Sequence, residues 1–121
     1  MITVLIAVFG GLGAVLRFVT DGTIRTILGR NFPWGTLIIN VTGSFILGVL
    51  TGFVLHNEVS NNVLLIVGTG FCGGFTTFST AMFEAVRLIE ERRYNAVMLQ
   101  TFGTAILSLS AAAIGLWLAH V

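Results

Sequence analysis

The sequence predicts an all-α integral membrane protein of four transmembrane helices with an interrupted third helix. Three observations carry that reading. The 121 residues are 55 % hydrophobic and only 9 % charged, with a mean hydropathy of +0.99, where a soluble domain carries about a quarter charged residues. Four apolar runs, at residues 2–19, 34–55, 63–89 and 96–119, each approach or exceed the roughly 20 residues needed to cross about 30 Å of hydrocarbon. Between them the connections hold nearly all the charge, so the chain reads as one membrane domain over residues 1–121.

The same numbers exclude other classes. A net charge of +1 leaves no electrostatic footprint for nucleic acid. The single Cys72 cannot build a disulfide framework, and the two histidines, His56 and His120, sit in polar ends as solvated side chains rather than metal ligands. The first run lacks a basic leader and a small-residue cleavage site, so it reads as a span and not as a signal peptide.

The boundaries have local reasons. Pro33 suits a helix start and Trp34 suits the membrane interface, which opens the second span. His56-Asn57-Glu58 and Ser60-Asn61-Asn62 form a polar break that separates the second span from the third. All six basic residues are arginines: Arg17, Arg25, Arg30, Arg87, Arg92 and Arg93. Each lies in or near the first or third connection. The positive-inside rule places those connections in the cytoplasm and both termini outside. Glu84 and Arg87, three apart near the cytoplasmic end of the third span, read as an interfacial pair.

Inside the spans, small and polar residues recur four apart. Asn40, Ser44, Gly48 and Gly52 form one stripe and Gln100, Thr104 and Ser108 another, because residues at that spacing stack along one helix face. Gly48 and Gly52 read first as helix-packing positions. Amides at membrane depth, Asn40 and Gln100, need partners or water and tend to mark pathways. The Gln100–Thr104–Ser108 column sets donors at intervals of about 6 Å, along which a partly dehydrated anion could step.

The third span contains Gly70-Phe71-Cys72-Gly73-Gly74-Phe75-Thr76-Thr77-Phe78-Ser79-Thr80. Paired glycines followed by β-branched threonines make a poor continuous helix. Two readings stand side by side. Freed carbonyls could coordinate a small hard cation in a midplane cavity, or a simple kink could be satisfied by the Thr76 and Thr77 hydroxyls.

Three stretches together resemble the Fluc (CrcB-type) fluoride channel family. They are Gly10-Gly11-Leu12-Gly13-Ala14-Val15-Leu16-Arg17, then Gly35-Thr36-Leu37-Ile38-Ile39-Asn40 running on to Gly43, Phe45 and Gly48, then the glycine–threonine stretch above. They occur in the family's order and spacing and span essentially the whole chain. The resemblance implies an antiparallel, dual-topology dimer with two fluoride pores in a bacterial inner membrane. It also implies a structural Na⁺ on the two-fold axis, held by the backbone carbonyls of Gly73 and Thr76. Its pore residues fall on Asn40, Phe78, Gln100, Thr104 and Ser108.

The physics of fluoride suits that set, since a dry pore must replace hydration with directed donors such as hydroxyls, amide N–H groups and phenyl edges. One position departs: the family's second pore phenylalanine falls on Ala81, and Met82 stands where it could partly fill the gap. Ala81 and the one-sided arginines favour an opposite-topology paralogue slightly over an identical copy as the second subunit. The alternative function is a non-conducting structural half of a heterodimer. Drug/proton exchangers are set aside because no acid occurs between Met1 and Asp21. An intramembrane enzyme is set aside because no histidine or acid lies deep enough to activate a nucleophile.

Overall fold

Nothing but helices can cross a bilayer without closing into a barrel, because backbone groups find no water there. The computed structural model describes residues Met1–His120, and its spans are helical except for an interruption at residues 76–78. Helix α1 covers Ile2–Leu28 and α2 covers Trp34–Leu55. The third span, Asn61–Glu90, is composite. A first turn, α3 (Asn61–Val63), runs into a π-helical stretch at Leu64–Cys72 and a single turn, α4 (Gly73–Phe75). The helix resumes as α5 (Ser79–Glu90), and α6 covers Tyr94–His120. Four of these spans are long and apolar enough to cross a membrane, so the chain is a multi-pass membrane protein.

Helix α1 outlasts its apolar run. It continues beyond Val19 to Leu28, carrying Asp21 and Arg25 on the helix rather than in a loop. Their 3.0 Å ion pair at i,i+4 spacing supports that extension. Gly29, at φ 83°, then turns the chain where a side chain would be strained. The two arginine-rich connections meet, since the Arg93 guanidinium donates to the Asn31 carbonyl. At the opposite end His56 and His120 lie together, with His56 Nε2 2.6 Å from His120 Nδ1. Both rings remain exposed there.

Without a hydrophobic force between helices in lipid, close packing must hold them, and it relies on small residues. Two helix pairs are joined this way. Along α1 and the third span, a Cβ on Gly13 would strike the Phe71 carbonyl and stand 2.8 Å from the Phe75 nitrogen, while one on Gly74 would strike the Gly10 carbonyl. Along α2 and α6, a Cβ on Gly48 would strike the Ala112 backbone and one on Gly115 would lie 2.5 Å from the Phe45 carbonyl. The glycine stripe Gly48–Gly52 is therefore a packing face, with Gly52 set against Ala119 and Leu116.

Replacing Gly13 by Ala should destabilise the folded protein by about 1–3 kcal/mol, the range for overpacking against backbone that cannot move aside. Gly11→Ala meets open space and should be neutral or stabilising, by up to about 1 kcal/mol of helix propensity. Thermal unfolding of the two variants in detergent, side by side, checks the contrast.

Candidate functional site

Between the two glycine-joined pairs lies a cavity of about 670 Å³, walled by α2, the third span and α6. Helix α1 contributes nothing to its lining. All seven residues singled out from the sequence, Asn40, Gly73, Thr76, Phe78, Gln100, Thr104 and Ser108, line it. Ser44, Thr69, Thr77 and Thr101 add further polar groups, and among the described residues no acidic or basic side chain lines it.

The floor of this cavity is the interruption in the third span. Thr76 is extended, at φ −79° and ψ 162°, and helical geometry resumes at Phe78 and Ser79. Two side chains take over the broken hydrogen-bond ladder. Asn40 faces the backbone of Thr77 and pairs with both of its main-chain groups: its Nδ2 donates to the Thr77 carbonyl at 2.9 Å, and the Thr77 N–H donates to its Oδ1 at 2.8 Å. The Thr77 hydroxyl in turn accepts from the Thr80 N–H at 3.2 Å, an N-terminal cap for α5. Thr76 donates its hydroxyl to the Cys72 carbonyl at 2.8 Å. Asn40 is thus a clamp on the break as well as a cavity residue.

The wall formed by α6 is less completely paired. Gln100 is buried, donating to the Ala81 carbonyl at 3.0 Å and accepting from Thr101 at 3.2 Å. One and two turns further along, Thr104 Oγ1 and Ser108 Oγ are shielded from solvent and have no hydrogen-bond partner. Buried hydroxyls without partners are costly and call for an explanation. Phe78 lines the same cavity yet is 77 % exposed, an aromatic ring set on a face that the monomer leaves open. Ala81 and Met82 also line it, whereas Phe83 does not, so Met82 stands beside the space that Ala81 leaves.

One sequence reading is corrected. Glu84 and Arg87 do not pair with each other. Buried Glu84 accepts from the Thr36 hydroxyl and lies 3.9 Å from Arg25, while Arg87 turns to Glu91 at 4.0 Å. Local i,i+3 spacing suggested the nearer partner, but Glu84 points inward to α1 and α2. Its charged partner there is Arg25, which also binds Asp21. The sequence reading that the Thr76 and Thr77 hydroxyls could satisfy a kink finds a counterpart here, since Thr76 donates to the Cys72 carbonyl and Thr77 accepts from the Thr80 N–H. The spacing of Thr77 and Thr80, three apart after a glycine pair, is the available signal for such a cap.

Fold and site together define a multi-pass membrane protein with a largely apolar, uncharged cavity among its spans that a few neutral polar side chains line. Comparison with known proteins gives the family. The family described as "CrcB-like protein, Camphor Resistance (CrcB)" matches residues 4–116, and the chain belongs to it. A relative from Leifsonia xyli, "Fluoride-specific ion channel FluC 1", is 49 % identical over 118 residues, covering 98 % of this chain and 86 % of the relative. "Fluoride-specific ion channel FluC 2" of Mycobacterium tuberculosis is 40 % identical over 116 residues, 96 % of this chain and 89 % of the relative. "Fluoride-specific ion channel FluC" of Geobacter sulfurreducens is 39 % identical over 119 residues, 97 % and 93 % of the two chains.

Because Thr104 and Ser108 give up no hydrogen bond within the chain, Thr104→Val and Ser108→Ala should leave thermal stability within about 1 kcal/mol of the parent, or raise it. Gln100→Leu, which removes both side-chain hydrogen bonds of a buried amide, should cost about 1–3 kcal/mol. Melting curves of the three variants test whether the α6 column divides in this way.

Proposed function

We propose that this chain is a subunit of a fluoride-selective channel, which lets fluoride leave the cytoplasm passively across the inner membrane of a bacterium. The observation that carries this reading is the pair of buried, unpartnered hydroxyls at Thr104 and Ser108, set in a cavity without a single charged side chain. A carboxylate there would repel an anion, and a basic side chain in direct contact would hold it too tightly to release it. Neutral donors aimed into a dry space can replace part of fluoride's hydration without holding it. The relatives' names point to the same ion, and they favour a conducting subunit over a purely structural one.

In this reading Thr104 and Ser108 donate to the ion in succession along α6, and Gln100 and Asn40 each keep one amide hydrogen free beyond the bonds they make within the chain. Phe78 offers its ring edge, where the partial positive charge lies. Outward movement of each negative charge gains about 2.3 kcal/mol per 100 mV of inside-negative potential.

The exposed Phe78 and the open cavity face suit completion by a second subunit in antiparallel orientation. Ala81 and the one-sided arginines favour a paralogue slightly over an identical copy, and the numbered names of two relatives, FluC 1 and FluC 2, accord with paired subunits. A structural Na⁺ at the carbonyls of Gly73 and Thr76 belongs to the same reading. Its support is the broken ladder: the Thr77 and Thr80 N–H groups, which would occupy those carbonyls in a continuous helix, bond elsewhere. When bound, the ion would supply positive charge against facing carbonyl dipoles, beneath an anion path.

Expression in a fluoride-sensitive bacterium lacking its own fluoride exporter should restore growth in fluoride, alone or with a co-expressed opposite-topology paralogue. Thr104→Val and Ser108→Ala should each lower the tolerated fluoride concentration, and Asn40→Asp should abolish rescue by setting negative charge beside the path. Full rescue by all three variants would remove these side chains from the pathway.

A further inference from the structure

The interruption in the third span frees carbonyls selectively. In a continuous helix each carbonyl accepts from the N–H four residues ahead. Gly73 would then accept from Thr77, and Thr76 from Thr80. Here the Thr77 N–H donates to Asn40 Oδ1 at 2.8 Å, and the Thr80 N–H donates to Thr77 Oγ1 at 3.2 Å. Among the described residues, no backbone hydrogen bond outside the helices reaches the Gly73, Gly74, Phe75 or Thr76 carbonyl. Only Gly73 and Thr76 of these four line the cavity. Gly74 packs on Gly10, and Phe75 is buried against Phe71 with ring centroids 5.8 Å apart. The ψ of 162° at Thr76 also turns its carbonyl out of the helical direction.

We propose that Asn40 and Thr77 are positioning residues for the cation site: by drawing two backbone N–H groups away, they leave the Gly73 and Thr76 carbonyls free to bind Na⁺. The inference rests on the Na⁺ reading above and adds a cause for it. Each diversion removes one competitor from one carbonyl. Asn40 also holds the next peptide group along, donating from Nδ2 to the Thr77 carbonyl at 2.9 Å, so the break cannot wind back into helix without stranding its amide. Neither residue touches the ion. They act through the backbone, one from α2 and one from the break itself.

The consequence is a link between Asn40 and cation affinity that a plain anion-lining role would not create. Loss of either diversion lets the ladder re-form across the break, and a carbonyl that accepts a helical N–H is a poorer and wrongly aimed ligand. Side-chain chemistry then decides the outcome. Thr77→Ser retains the capping oxygen and should behave as the parent, whereas Thr77→Val keeps the shape and loses the acceptor.

The test is a Na⁺ titration of thermal unfolding, with protein purified throughout in N-methylglucamine and K⁺ and choline as controls. The parent should be stabilised by Na⁺ with a defined midpoint. Thr77→Val should shift that midpoint at least tenfold higher, and Thr77→Ser should stay within twofold of the parent. Asn40→Ser, whose hydroxyl is too short to reach the Thr77 peptide, should shift it as Thr77→Val does, and serves if the valine variant does not survive purification. An unchanged midpoint in Thr77→Val or Asn40→Ser, with a Na⁺-responsive parent, would overturn the positioning role and leave the Na⁺ reading standing. A parent indifferent to Na⁺ would overturn the Na⁺ reading, and this inference with it.

Discussion

Inside a bilayer an unpaired peptide group has no water to turn to, and the structure answers that constraint at one place with one interaction. The Asn40 amide pairs with the main-chain N–H and carbonyl of Thr77 as a facing residue would in a sheet, each side donating and accepting once. Interhelical hydrogen bonds of this kind are worth on the order of 1 kcal/mol each in a membrane. Their larger effect is to make an interrupted helix tolerable at all. Around that contact α2 is anchored to the third span, α5 receives its cap, and the carbonyls at residues 73 and 76 are released beside the cavity.

Packing distributes the remaining tasks. Helix α1 and the third span are joined by glycines at backbone distance, as are α2 and α6. These joints need no polar groups, so polar side chains are free to gather on the face between the two pairs. That face holds amides whose bonds are largely met within the chain and, one and two turns away, hydroxyls whose bonds are not met. Gln100 and Asn40 hold elements in place through these bonds, while the Thr104 and Ser108 hydroxyls make none among the described residues. Charge is kept at one end of the spans, where Thr36, Glu84, Arg25 and Asp21 form a connected cluster outside the cavity lining.

Much of this was legible in the sequence, because membrane spans and four-residue stripes are local patterns. The four spans, the Gln100–Thr104–Ser108 column and the cavity positions of Asn40 and Phe78 all follow from spacing or from the family resemblance it supports. The stripe through α2 proved divided. Asn40 and Ser44 face the cavity, while Gly48 and Gly52 turn onto α6, since the slow drift of a four-residue repeat carries its two halves to different neighbours. What spacing could not supply was long-range partnership. Glu84 bonds to a residue 48 positions away rather than to Arg87, and Asn40 bonds to the backbone of a residue 37 positions away. The reach of α1 to Leu28 was likewise hidden, because its last turns are held by an ion pair and not by an apolar pattern.

The central claim is that neutral donors in an uncharged cavity select one small anion. Efflux from liposomes tests it most directly, using the purified chain together with any paralogue that co-purifies, and fluoride and chloride electrodes in parallel. The account predicts rapid release of fluoride while chloride is retained. Release of both ions at similar rates, or of neither from correctly folded subunits, would contradict it.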